Sequence, residues 1–238
     1  MLLSSVDLLF QDPVLFLAVV MKFLATGGVA LIVSISVHEF SHAAVALALG
    51  DPTARCLGRF TLNPIRHLDK VGTAMLLLVG FGWGKPVPIN PSMLGSDPRR
   101  KMAMIAGAGP ISNILTACVV GLPVRLNMLD WQSPFWGWNL GGINPSHLML
   151  DTLGFLIFFN IILAVFNLLP IFPLDGSKIV GGFLSSSAND KLARWEAIGP
   201  AVLLVIIMFD WFTSLNLLWG VLRPAVDVLG FIAIGRPL

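Results

Sequence analysis

Four stretches of this chain are long and apolar enough that water cannot be their main surroundings. They run from residues 22 to 49 with an apolar lead-in from 13, from 102 to 122, from 147 to 171 and from 197 to 220. A helix that crosses a bilayer needs about 20 such residues. Charged residues make up 12% of the chain, against about 25% in a soluble domain. No polar block is long enough to fold separately, so residues 1–238 are expected to form one membrane-embedded domain. The expected fold class is an all-α polytopic membrane protein with about four to six transmembrane helices, its main partner being the lipid bilayer.

Two apolar pieces are too short to span. Val226 to Ile234 is expected to lie on the surface or fold back. Val71 to Trp83 contains Gly72, Gly80 and Gly82, and Gly84, Pro86 and Pro88 follow. Glycine at that density weakens helix and proline favours extended backbone, so this segment is expected to be re-entrant or strand-like. Thr26-Gly27-Gly28 is a candidate break within the first stretch. Asp7 and Asp12 stand where a cleavable signal would carry Lys or Arg, which suggests uncleaved anchoring helices. Cys56 and Cys118 fit neither a disulfide framework nor a zinc ribbon. The net charge of +2 and the lack of aromatic-basic interleaving exclude nucleic acid as a partner.

Basic residues set the expected orientation. The loop after the first span holds Arg55, Arg59, Arg66, Lys70, Lys85, Arg99, Arg100 and Lys101, and the loop after the third holds Lys178, Lys191 and Arg194. The loop after the second holds Arg125 with Trp131, Trp136 and Trp138. The first and third loops are therefore expected on the cytoplasmic side of a multi-pass protein of the cell membrane.

Within the first span stands His38-Glu39-Phe40-Ser41-His42. On a helix, residues four apart share a face, so both imidazoles can reach one metal ion, and Glu39 is placed to act on water beside it. Ionisable groups inside a span are costly and mark function. Catalytic zinc takes three protein ligands and keeps a position open. His67, His147 and the carboxylates are the remaining candidates. The first and third spans both run inward, which brings the C-terminal half of one and the end of the other to similar depth. Asp175 lies at that end, after Pro170 and Pro173 interrupt the helix. His147 starts the third span at the opposite face, and His67 sits in a charged loop.

Taken together, H-E-F-S-H, the run N-L-L-P-I-F-P-L-D-G from Asn167 to Gly176, the stretch from Gly58 to Thr73, G-W-G-K-P-V-P-I-N-P from Gly82 and A-G-P-I-S-N from Ala108 to Asn113 resemble the site-2 protease family of intramembrane zinc metallopeptidases. The likeness is closest to its short members without PDZ or nucleotide-sensing insertions. It implies one zinc ion per chain held by His38, His42 and Asp175, and Glu39 as general base. It also implies that Asn113 assists the substrate or oxyanion and that Asn167 steadies the turn from behind. The implied reaction is hydrolysis of peptide bonds in or near transmembrane segments of protein substrates, at a site nearer the cytoplasmic face. The glycine- and proline-rich segment would offer an edge to unwound substrate. A metal-ion transporter is the chief alternative, since His and Asp also line ion pathways; a non-catalytic membrane scaffold is the second. Neither the substrate's identity nor the oligomeric state is legible.

Overall fold

The computed structural model describes residues 10–73, 82–131, 133, 145–185, 188, 192, 195–196, 198–213 and 215–238. Most of the glycine-rich segment (74–81), Trp136, Trp138, Lys191 and Arg194 lie outside the described residues. Eight α-helices are described: α1 (Pro13–Phe23), α2 (Val29–Ala48), α3 (Thr53–Cys56), α4 (Pro98–Arg125), α5 (Pro145–Asn167), α6 (Asp175–Phe183), α7 (Gly199–Thr213) and α8 (Leu217–Ile234). The all-α class is borne out. Among the described residues strand pairing is limited to one isolated antiparallel bridge between Leu68 and Gly84.

Thr26-Gly27-Gly28 does not break the first span. A π-helical turn, Leu24–Gly28, joins α1 to α2, and the whole runs as one helix from Pro13 to Ala48. Its 36 residues rise about 54 Å, more than the roughly 30 Å of hydrocarbon. The Lys22 ammonium lies 2.7 Å from the Asp151 carboxylate, which ties α1 to α5. A side chain at Gly27 would meet the Phe23 ring at 2.9 Å, so the small residue lets the turn close.

The C-terminal spans differ from expectation. The fourth apolar stretch divides into α7 and α8, and the piece expected to be too short to span belongs to the 18-residue helix Leu217–Ile234. Asn216 adopts a left-handed conformation (φ 53°) that ends helical continuity. The Asp210 carboxylate accepts from the Leu217 and Leu218 amides, satisfying donors at the start of α8. At its far end, Arg125 donates to the Phe231 and Ile232 carbonyls at 2.7 and 2.6 Å.

Helix α4 is the centre of the packing, with α2, α5, α6 and α8 against it. Its outer face exposes Met104, Ile111, Leu115, Val119 and Leu122, while Ile105, Gly109, Asn113, Ala117, Gly121 and Val124 are buried. That polarity suits a lipid surround, where small residues let helices approach and large apolar ones face outward. Ala117 and Val124 join Ile157, Ile161 and Val165 of α5 and Leu222 and Val226 of α8 in one apolar cluster. This cluster holds α4 and α5 together on one side of the polar residues described next. Cys56 and Cys118 are free thiols.

Candidate metal centre

Helix α2 carries Ala30, Ser34, His38, His42 and Ala46 at four-residue spacing, and all are buried. Helix α4 answers with Ile105, Gly109 and Asn113 at the same spacing. His42 Nδ1–H donates to the Ile105 carbonyl at 2.7 Å, and His38 Nδ1 lies 2.6 Å from Asn113 Oδ1. Gly109 sits between these contacts. A Cβ there would come within 2.5 Å of His38 Cε1 and 2.6 Å of His42 Nε2, so only glycine admits both rings.

Asp175 completes the cluster. After α5, backbone bonds from the Leu168, Leu169, Ile171 and Leu174 amides carry the chain through an irregular turn. The Phe172–Pro173 peptide within it is cis. Asp175 then opens α6, where the positive end of the helix favours a carboxylate. Gly176 is helical, and a Cβ there would lie 2.3 Å from the Leu168 carbonyl oxygen. Its role is to let α6 press against the turn and bring Asp175 inward.

The result is a convergence of three ligand-type atoms. Asp175 Oδ2 lies 3.1 Å from His38 Nε2 and 3.2 Å from His42 Nε2, and the two Nε2 atoms are 3.0 Å apart. Among the described residues this is the group of His, Cys, Asp and Glu whose ligand atoms all lie within 4.8 Å of one another. Both Nδ1 atoms are turned to oxygen acceptors, so each Nε2 offers a lone pair, and the carboxylate offers another. Three such atoms at this range repel unless a cation or proton stands among them. Two imidazole nitrogens and one carboxylate oxygen are a donor set that suits zinc, and the residues present fit that ion.

Glu39 points to the neighbouring loop. Its Oε2 accepts from the Val87 amide at 3.2 Å, and an added Cβ at Gly84 would lie 4.0 Å from its Oε1. The described end of the glycine- and proline-rich segment therefore passes beside the acid. Buried Arg59 holds that end by donating to the Lys85 and Pro86 carbonyls. Lys85 donates its amide to the His67 carbonyl at 2.8 Å.

Of the other candidates, His67 is fully buried and its Nε2 lies 2.7 Å from the Thr61 carbonyl, away from the cluster. His147 is exposed at the start of α5. Asn167 donates to the Leu163 carbonyl of its own helix at 2.9 Å. Asn113 donates to the Ser34 carbonyl at 3.1 Å and to Asn160 Oδ1 at 2.7 Å, which leaves no amide hydrogen for an oxyanion. Sequence reasoning overlooked Asn160, Gly109 and Arg59. Asn160 carried a usable signal, being an amide in the middle of an otherwise apolar span.

The sequence pattern of peptidase family M50 matches residues 140–209. YwhC of Bacillus subtilis, provisionally named a zinc metalloprotease, is 35% identical over 214 residues, covering 88% of this chain and 92% of YwhC. Rip2 of Mycolicibacterium smegmatis, named in the same way, is 27% identical and covers 77% of this chain and 68% of its own. Rip2 of Mycobacterium tuberculosis is 28% identical, covering 74% of this chain and 64% of its own length. No solved structure gives a significant match. A buried His-His-Asp cluster, its two histidines on a membrane-length helix, and a relative matched across nearly its whole length place this chain in peptidase family M50.

Proposed function

We propose that this chain is an intramembrane zinc metalloprotease that holds its ion through His38, His42 and Asp175 and hydrolyses peptide bonds in or near transmembrane segments of protein substrates. The carrying observation is the convergence of the two Nε2 atoms and Asp175 Oδ2. Zinc bound there supplies a Lewis acid that polarises a carbonyl and lowers the pKa of water to about 7. Glu39, next in sequence to His38 and anchored by the Val87 amide, takes the proton from the attacking water and returns it to the leaving amine. The Ile105 carbonyl and Asn113 hold the imidazoles so that their Nε2 atoms stay turned to the ion.

The loops rich in Lys and Arg support a multi-pass position in the cell membrane with the site nearer the cytoplasmic face. Family membership does not favour the transporter or scaffold readings. The test is cleavage of a model transmembrane substrate by the purified chain in detergent, with zinc content measured alongside. Zinc-dependent cleavage is expected, with loss of bound zinc in His38→Ala and Asp175→Ala. A chain that binds zinc but cuts nothing contradicts the activity; undiminished zinc in Asp175→Ala points to another third ligand.

A further inference from the structure

We propose that Asn160 is a positioning residue for the zinc site: through Asn113 it fixes which ring nitrogen of His38 carries the proton. The inference rests on the reading of His38 as a zinc ligand. Three backbone carbonyls decide the polarity of the network, because a carbonyl can only accept. The Leu156 carbonyl lies 2.8 Å from one terminal atom of the Asn160 amide, so that atom is the nitrogen. The same nitrogen lies 2.8 Å from Ser34 Oγ, whose own hydrogen goes to the Ala30 carbonyl at 2.8 Å. The other terminal atom of Asn160 is therefore an oxygen, and it faces Asn113 at 2.7 Å.

The chain of reasoning continues inward. The Asn113 atom that meets Asn160 Oδ1 also meets the Ser34 carbonyl at 3.1 Å, so it is the nitrogen and both its hydrogens are used. Its oxygen is left to face His38 Nδ1 at 2.6 Å. That nitrogen must then carry the proton, and Nε2 keeps its lone pair for the metal. Ser34, Asn113 and Asn160 are fully buried, so no water offers an alternative partner. A rotated Asn113 amide would set its oxygen against two other oxygens. Asn160 supplies one of those two, from a third helix, and the Ser34 carbonyl supplies the other.

The experiment is zinc affinity by chelator competition in detergent. Asn160→Leu removes the acceptor and is expected to weaken zinc binding about 10- to 100-fold. Asn160→Asp keeps an oxygen toward Asn113 in either protonation state and is expected to stay within about threefold of wild type. Equal affinity for Asn160→Leu and wild type, or equal losses in the two variants, overturns the proposal. If Asn160→Leu does not fold, Ser34→Ala replaces it. That variant removes only the second acceptor of the Asn160 amide and is expected to bind zinc about threefold or more weakly; unchanged affinity counts against the relay. Nitrogen-15 spectra of the zinc-loaded wild type give a second reading, with the proton expected on His38 Nδ1 and a proton on Nε2 contradicting it. A wild type that binds no zinc, or a His38→Ala variant that keeps it, defeats the zinc-site reading itself.

Discussion

His38 Nε2 and His42 Nε2 lie 3.0 Å apart, with Asp175 Oδ2 within 3.2 Å of both. The first two atoms come from adjacent turns of one helix, so their proximity is local. The third is 137 residues away from His38 in sequence. It arrives only because α4 packs between α2 and α6 and offers a glycine where the rings cross.

That glycine is open to a direct test. Gly109→Ala puts a methyl carbon 2.5 Å from His38 Cε1, so a ring must move. Zinc affinity is expected to fall about tenfold or more, with helical content unchanged in circular dichroism. Gly107→Ala on the same helix meets no closer atom than Ile111 Cδ1 at 3.8 Å and serves as the control. Equal zinc affinity in the two variants would show that Gly109 is not needed for the site.

Glu39→Gln keeps the size of the side chain and removes the carboxylate proposed as the base. Cleavage of a transmembrane substrate is expected to fall by about 10²- to 10⁴-fold, while zinc content stays that of the wild type. Full activity, or loss of the metal, would contradict the assigned role.

Asp51 ties the loop that carries Val87. Its carboxylate accepts from the Thr53 amide at 2.9 Å and the Asn90 amide at 2.7 Å. Burial alone would raise this carboxyl, but those hydrogen bonds outweigh it and hold the pKa below its ordinary value. The folded state therefore prefers the charged form. Its stabilising contribution is fully present above the ordinary carboxylate pKa of about 3.9 and is lost as pH falls below it through the folded value. Wild-type stability in detergent is expected to drop across that acid window. Asp51→Asn is expected to be less stable near neutrality and to show a smaller drop; an unaltered acid limb in the variant would refute the assignment.

Lys22 and Asp151 lie 2.7 Å apart with side chains 24% and 16% exposed. Removing one charge strands the other at the junction of α1 and α5. Lys22→Met and Asp151→Leu are each expected to cost about 1–3 kcal/mol, and the double variant less than their sum. Additive losses in reversible unfolding would show that the pair is not coupled.

The amino-acid sequence by itself determined the helical membrane class, the His38–His42 pair and the adjacent Glu39. Each depends on local matters: apolar runs matched to bilayer thickness, and the four-residue repeat of a helix. Asp175 was legible in part, since proline positions and the direction of the spans brought it to similar depth. The division of the C-terminal stretch into α7 and α8 was not, because Asp210 caps a helix that begins seven residues later. Nor did local pattern separate a glycine that makes room for two rings from one that makes a turn. The tertiary structure alone decided the neighbours of each imidazole. Ile105 offers a backbone carbonyl that any residue there would have, and the Ser34–Asn160–Asn113 relay joins three helices. Such contacts depend on how the helices are packed and turned, a relation that no spacing within one segment encodes.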